Sequence, residues 1–147
     1  MALWDWMLKA YAQPGVPEAC LALQDGHGQN TSLLLWAVWA EVADPKLLAD
    51  AAEVAHRWES LALSPLRAVR RALKPAVPGV DDGTKDRLRE DVKAVELHAE
   101  RVLTETLEGL NDGKGGAHAL AALEAASAAW GKPAPADALA ALASALG

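Results

Sequence analysis

The chain has 147 residues, of which 52% are hydrophobic, and a formal net charge of −6 at pH 7. Its length suits one domain, and its longest apolar run is far below the roughly 18 to 20 residues that cross a bilayer. Its acidic balance argues against nonspecific nucleic-acid binding. A single cysteine excludes an internal disulfide, and the amino terminus shows no leader pattern, so we expect the reducing cytoplasm.

The first predicted helix covers residues 3–12 and places Trp4, Leu8 and Tyr11 on one inward face. The chain has six tryptophans, one tyrosine and no phenylalanine. Because few other side chains are large enough to fix a unique interior, we expect the tryptophans and Tyr11 to provide much of the specific packing.

The second and third helices are predicted on either side of a glycine-rich turn. Pro17 suits the first turn of the second helix, which ends at residues 26–28. A capping side chain at 30–32 begins the third helix, over about 31–43. Its segment LLLWAVWA is apolar on every side, which is typical of a helix at the centre of a bundle.

Two dipeptides, Asp44-Pro45 and Ser64-Pro65, combine a capping side chain with a proline suited to the first helical position. Each predicts the start of a helix. In the second of these helices the apolar and basic residues lie on opposite sides. The apolar side holds Leu66, Val69 and Leu73, and the basic side holds Arg67, Arg70, Arg71 and Lys74.

A long amphipathic helix is predicted over about 84–110, with apolar residues at alternating spacings of four and three. That series is Leu88, Val92, Val95, Ala99, Val102, Thr106 and Leu110. The segment NDGKGG at 111–116 then predicts a flexible loop, followed by two alanine-rich helices. The predicted fold class is therefore all-α, a compact bundle of about six to eight helices built on the central apolar helix and this long one.

Residues 63–75 contain four bases and no acid, and we call these bases, Arg67, Arg70, Arg71 and Lys74, the basic stripe. Like charges one turn apart repel each other, which predicts an anion opposite the stripe. Three alternatives remain open: an internal clamp, an external anion such as an acidic protein, RNA or a phosphate-bearing ligand, or a solvated face. The candidate internal counter-charges on the long helix are Glu90, Glu96 and Glu100, with Asp91 beside them.

A second candidate site surrounds the only cysteine. Cys20, Gln24 and His27 are spaced to share one helical face, with Asp25 beside them. A thiol near an imidazole is the minimum for nucleophilic catalysis, but seven residues of helix rise about 10 Å, too far for a direct hydrogen bond. The structural alternative makes Cys20 a small buried side chain and places His27 in a turn.

The same turn offers oxygen and nitrogen ligands for a metal at Asp25, His27 and Asn30, together with Asp5. Their spacing matches no metal motif, and turn chemistry accounts for the same residues. We therefore expect no metal, no cofactor and no assigned catalytic residue.

Four segments form a combined pattern over residues 3–108: LWxxxLxxYxxPGVxxACLxLQ, LLLxxxW, PLRxxRRxLK and ELxAE. The matching positions run from Leu3 and Trp4 to Glu96 and Glu100. This pattern resembles that of a small proteobacterial family of single-domain proteins of unknown function. The resemblance implies a soluble bacterial helical protein and brings no activity or site residues with it.

We expect residues 1–110 to form the bundle core and residues 111–147 to dock on the same domain. The leading functional hypothesis is a cytoplasmic binding or adaptor protein without catalytic activity. Its basic stripe would pair internally or with an acidic protein or phosphate-bearing ligand. The alternative is a small enzyme or ligand-binding protein with a site near Cys20, Gln24, Asp25 and His27.

Overall fold

The computed structural model describes residues 1–111 and 113–147; Asp112, in the predicted loop, lies outside the described residues. The described chain is all-α, as expected, and contains eight α-helices and no strand. In chain order they are α1 Leu3–Tyr11, α2 Val16–Leu21, α3 Thr31–Ala40, α4 Pro45–Trp58, α5 Ser64–Ala72, α6 Asp82–Glu108, α7 Ala119–Trp130 and α8 Ala136–Leu146. Two π-helical turns, Ala22–Gly26 and Glu59–Leu63, directly follow α2 and α4.

Helix α3 lies at the centre of the bundle, as its uniformly apolar sequence predicts. Asn30 caps it by accepting a hydrogen bond from the Leu33 amide at 2.9 Å. Every residue from Leu33 to Ala37 is buried, and α1, α4, α6 and α7 pack around them. The helix ends at Ala40 because Glu41 adopts the left-handed conformation, with φ of 53°.

The glycine-rich segment before α7 is docked on the carboxyl end of α3. Gly115 donates its amide to the Ala40 carbonyl at 2.8 Å, and Ala117 donates to the Glu41 carbonyl at 3.0 Å. A Cβ at Gly115 would overlap the Glu41 carbonyl oxygen, so this close approach requires glycine. The described part of the predicted flexible loop is therefore held in place by hydrogen bonds.

Helices α7 and α8 extend the buried interior. α7 packs on α3 and α4, and α8 packs on α2 and α7. Leu123 of α7 and Leu142 of α8 are fully buried and belong to the same apolar cluster as Trp36 of α3. Apolar packing thus continues beyond residue 110, while the division of the chain at that point stays a prediction.

Helix α5 begins at Ser64, as the Ser64-Pro65 dipeptide predicts, but the predicted capping role of Ser64 is wrong. Helical backbone is continuous from Pro45 to Ala72, and Ser64 makes no capping hydrogen bond. Proline inside a helix removes one backbone hydrogen bond and crowds the preceding turn, and the π-helical turn Glu59–Leu63 changes the bonding pattern directly before it. Asp44, by contrast, caps α4 as predicted.

The inward face of α1 differs by one residue from the predicted one, a rotation of about 100°, and the inward face of α6 differs from its prediction in part. In α1 the predicted Leu8 is 52% exposed, and the buried residues are Leu3, Met7 and Ala10. In α6 the predicted Leu88, Val95 and Val102 are exposed, whereas Ala99 of the same predicted series is buried. The buried residues of α6 are Lys85, Glu96, Ala99, Leu103, Thr104 and Leu107. This face of α6 lies inward because Glu96 pairs with Arg70 of α5 and Lys85 binds two carbonyls directly after α5.

The interior consists mainly of leucine and alanine side chains. Of the tryptophans, Trp36 is fully buried and the others are half-buried at the edge of the core. Two of these donate a hydrogen bond from the indole nitrogen to a backbone carbonyl. Trp58 Nε1 donates to the Ala99 carbonyl and Trp130 Nε1 to the Gly28 carbonyl, each at 2.7 Å. The indoles therefore tie neighbouring segments together at the edge of the core.

Candidate functional site

Two members of the basic stripe point inward and pair with carboxylates. Arg70 donates from Nε to Glu96 Oε2 at 2.6 Å and from Nη2 to Glu96 Oε1 at 3.4 Å. Arg67 donates from Nη1 to Glu59 Oε1 at 3.2 Å. The side chains of Arg67 and Glu96 are only 15% and 11% exposed, so water screens these charges less than it screens surface pairs. Glu96 was among the predicted counter-charges, and Glu59 was not.

The other two predicted counter-charges have different environments. Glu90 pairs with Lys93 at 3.0 Å on the exposed side of α6. Glu100 is half-buried and has no cation within 4.0 Å among the residues that the structure describes. Burial, followed by the nearby Glu96 charge, raises the pKa of the Glu100 carboxyl. Ionised Glu100 therefore adds buried negative charge next to the Arg67 pair.

The outer part of the basic stripe borders a cleft, which we call the cationic cleft. Its volume is about 260 Å³ and it is lined by Leu21, Gln24, Asp25, Arg70, Arg71, Lys74 and Arg89. Arg71 Nη2 donates to Asp25 Oδ1 at 3.4 Å, and both side chains remain about half exposed. No carboxylate of the described chain lies within 4.0 Å of the Lys74 amine. The cleft thus presents more positive than negative charge to solvent.

Helix α6 holds the carboxyl end of α5 with two cations that the sequence pattern had not singled out. Lys85 is 5% exposed and donates from Nζ to the Pro75 carbonyl at 2.6 Å and to the Lys74 carbonyl at 3.3 Å. Arg89 donates from Nε to the Arg70 carbonyl at 3.3 Å. The Arg70 carbonyl lies in the last turn of α5, where carbonyls lack helical partners and carry partial negative charge that favours a cation, and the Lys74 and Pro75 carbonyls follow directly after that helix. The sequence feature that could have indicated them is their i, i+4 spacing, which places Lys85 and Arg89 on the same side of α6.

The structure places Cys20 and His27 in different environments, the first buried and the second exposed. Cys20 is 2% exposed, and burial raises the pKa of its thiol to about 11, so it is protonated and covered at neutral pH. His27 is exposed after the π-helical turn Ala22–Gly26, which replaces the regular helical spacing that the prediction assumed. Gln24 and Asp25 lie on that turn and line the cationic cleft. Two of the four residues of this predicted group thus line the cationic cleft.

The four residues considered as metal ligands do not converge. Asn30 caps α3, Asp25 faces Arg71, and Asp5 is exposed on α1. Across residues 1–111 and 113–147, no group of three or more His, Cys, Asp or Glu side chains is arranged to hold a metal ion.

A small polar space, which we call the inner cavity, lies beside the cationic cleft. Its volume is about 10 Å³, room for one group of the size of a water molecule. Gln24 lines both spaces. The other lining residues of the inner cavity are Gln29, Asn30, Thr31, Ser32, Glu59, Leu63, Arg67 and Glu100. Within the described chain, three buried atoms at this cavity lack a hydrogen-bond partner, namely Gln29 Oε1, Glu59 Oε2 and Arg67 Nε.

Neither the curated proteins nor the solved structures provide a match to this chain. No helix of the described chain is long and apolar enough to cross a membrane. A family model described as "protein of unknown function" matches residues 2–107, which include the basic stripe, the cationic cleft and the inner cavity. The expected resemblance to a family of unknown function is confirmed, and the chain belongs to the DUF2390 family.

Proposed function

We propose that the protein binds a small phosphate-bearing ligand in the cationic cleft. The observation that carries the proposal is the charge of this concavity. Arg71, Lys74 and Arg89 line it, and Asp25 supplies the only acid among its described lining residues. Guanidinium and ammonium groups bind phosphate oxygens through charge-assisted hydrogen bonds, which are shorter and stronger than neutral ones.

In this proposal the basic stripe has two roles. Arg67 and Arg70 form an internal clamp, which is supported by their contacts with Glu59 and Glu96. The clamp fixes α5 against α6 and so holds the wall of the cleft. Lys74, together with the half-exposed Arg71, remains available to a ligand.

The shape of the site favours a small ligand over a macromolecule. A concavity of about 260 Å³ approaches the lower end of small-molecule pockets, about 300 Å³. An RNA or an extended acidic partner requires a broad positive face, whereas this protein has a net charge of −6. The catalytic alternative at Cys20 gains no support from a covered thiol with a pKa of about 11.

A cytoplasmic location is part of the same proposal. It is supported by Cys20, which is present as a free thiol. Reducing compartments keep such thiols reduced, whereas disulfides form and persist in oxidising compartments.

The test is a titration of the ¹⁵N-labelled protein with ethyl phosphate, followed by two-dimensional NMR. Amide shifts are expected in α5, at the start of α6 and in the turn Ala22–Gly26. The Arg71→Gln, Lys74→Gln double variant should raise the dissociation constant at least about tenfold, since two charge-assisted contacts are lost.

The matched control removes the same charge from two cations of α4. Lys46 and Arg57 are exposed and make only i, i+4 pairs within that helix. The Lys46→Gln, Arg57→Gln variant should change the dissociation constant less than twofold. Equal weakening in both double variants, or amide shifts scattered over the whole surface, would show that the interaction is nonspecific and would refute the proposal.

A further inference from the structure

Resting on the proposed function, we propose that the ligand carries a primary ammonium group at the end opposite its phosphate, and that the inner cavity receives this group. The phosphate then lies in the cationic cleft among Arg71, Lys74 and Arg89. The ligand class is a small phosphate monoester of an amino alcohol, a zwitterion with separated charges.

The two spaces are neighbours, which allows one short ligand to occupy both. Gln24 lines the cationic cleft on one side and the inner cavity on the other. Arg67 and Arg70 lie about one turn apart on α5, the first at the inner cavity and the second at the cleft. In this proposal the ligand extends past Gln24, the residue that lines both spaces.

The charges of the two spaces have opposite signs. The inner cavity holds the carboxylates of Glu59 and Glu100 against a single cation, Arg67. The neighbouring cleft holds an excess of cations over Asp25. A site that is negative inside and positive outside favours a zwitterion oriented with its ammonium group inward, since both ends then gain Coulomb energy.

The unpartnered atoms at the inner cavity match the hydrogen-bonding groups of such a ligand. Gln29 is 3% exposed, its amide nitrogen donates to the Lys132 carbonyl at 3.0 Å, and its Oε1 has no donor in the described chain. Glu59 Oε2 is a second buried acceptor without a donor there. A primary ammonium group carries three N–H donors. Arg67 Nε, the third unpartnered atom, is a donor and is available to the ester oxygen between the charged ends.

The size of the inner cavity determines how many substituents the ligand's nitrogen can carry. About 10 Å³ admits one group of the size of water, which fits –NH₃⁺ and excludes a trimethylated nitrogen. A hydroxyl group fits the space but brings a single donor and no charge. The cavity therefore selects a primary ammonium group over both substitutes.

The experiment compares three ligands by NMR titration of the full chain. O-phosphoethanolamine carries the ammonium group, propyl phosphate replaces it by a methyl group, and phosphocholine replaces it by a trimethylated nitrogen. O-phosphoethanolamine should bind at least about tenfold more tightly than propyl phosphate, because it adds charge-assisted hydrogen bonds. Phosphocholine should bind no more tightly than propyl phosphate.

Two variants test whether the preference for O-phosphoethanolamine over propyl phosphate arises at the inner cavity. Glu59→Gln should reduce the affinity ratio of O-phosphoethanolamine to propyl phosphate to within about twofold of unity, because it removes one of the two carboxylates and leaves Glu100 balanced by Arg67. Glu53→Gln removes an exposed carboxylate of α4 and should leave the ratio unchanged. Thermal melts of both variants verify folding, and the ligand comparison on the unmodified protein requires no variant.

The outcomes separate the two proposals. If propyl phosphate and O-phosphoethanolamine bind equally, the inner cavity holds only an ordered water molecule; this inference then fails and the proposed function stands. If neither ligand binds, both fail. A preference for O-phosphoethanolamine that survives Glu59→Gln would also overturn the inference, because the ammonium group would then lie elsewhere.

Discussion

Replacing Glu96 by glutamine should destabilise the fold, because Glu96 is the principal counter-charge of a clamp between α5 and α6. The substitution keeps the size of the side chain and one acceptor oxygen, and removes the charge that faces Arg70 at 2.6 Å and Arg67 at 4.0 Å. Both guanidinium groups remain charged, since arginine does not lose its proton in proteins. Each is then left in a poorly hydrated position with less compensation.

The expected loss follows from the burial of the pair. Removing one partner of a fully buried ion pair costs about 3–5 kcal/mol. The Arg70 side chain is 25% exposed and Arg67 keeps Glu59, so we expect roughly 2–3 kcal/mol for Glu96→Gln. A change of 1 kcal/mol shifts the melting temperature of a domain of this size by roughly 2–4 °C, which gives a decrease of roughly 4–12 °C.

The assay is thermal and urea unfolding followed by circular dichroism. Glu105→Gln is the matched control, since it removes the same group from an exposed pair with Arg101 on the same helix. Surface pairs of this kind contribute about 0.3–0.5 kcal/mol. If Glu96→Gln lowers the melting temperature no more than Glu105→Gln does, the pairing of Glu96 with the basic stripe contributes nothing to stability and the clamp is refuted.

Three further outcomes are expected. Gly115→Ala should cost about 1–3 kcal/mol because the added Cβ meets backbone, whereas Gly113→Ala, with nothing within 4 Å, should be close to neutral in the same melts. Native Cys20 should react very slowly with a thiol reagent at pH 8, because burial raises its pKa to about 11. In the Leu21→Cys variant the added thiol, at a position that is 58% exposed, should react rapidly. Equal reaction rates for Cys20 and the added cysteine would contradict the burial of Cys20. Burial raises the pKa of Glu100 in the folded state above its value in the unfolded state. The folded state is therefore favoured while this carboxyl is protonated, and that stability is lost as pH rises through the folded-state pKa. Glu100→Gln should therefore raise the melting temperature more at pH 8 than at pH 4, and the reverse order would contradict this sign.

Local sequence signals predicted the features that depend on neighbouring residues alone. Asn30 and Asp44 both accept the amide three residues ahead and cap α3 and α4. The uniformly apolar α3 is central because no side of it can face water. These features need no knowledge of the rest of the fold.

The errors arose where a distant partner decides the outcome. Hydrophobic periodicity placed Val95 inside α6, but Glu96 lies inside because Arg70 supplies its counter-charge. Periodicity scores each side chain by its own polarity and ignores such pairing. Ser64 failed as a cap for a related reason: a capping residue has its effect only where the preceding helix stops, and here the helix continues.

The candidate site shows the same division. The excess of positive charge on α5 was visible in the sequence, and Glu96 was one of three acids proposed to face it. Glu59 approaches from a π-helical turn that no composition pattern announces. The meeting of Asp25 with Arg71 likewise depends on tertiary packing across 46 positions of the chain.

The central position of α3 has a practical consequence for dissecting the protein. A fragment that ends at residue 107, where the family match stops, would lack α7. The side of α3 that packs against α7 would then be exposed to solvent. Uncovered apolar surfaces of that kind promote self-association. Tests of the proposed binding cleft are therefore better made by point substitutions in the full chain than in a fragment limited to the family match.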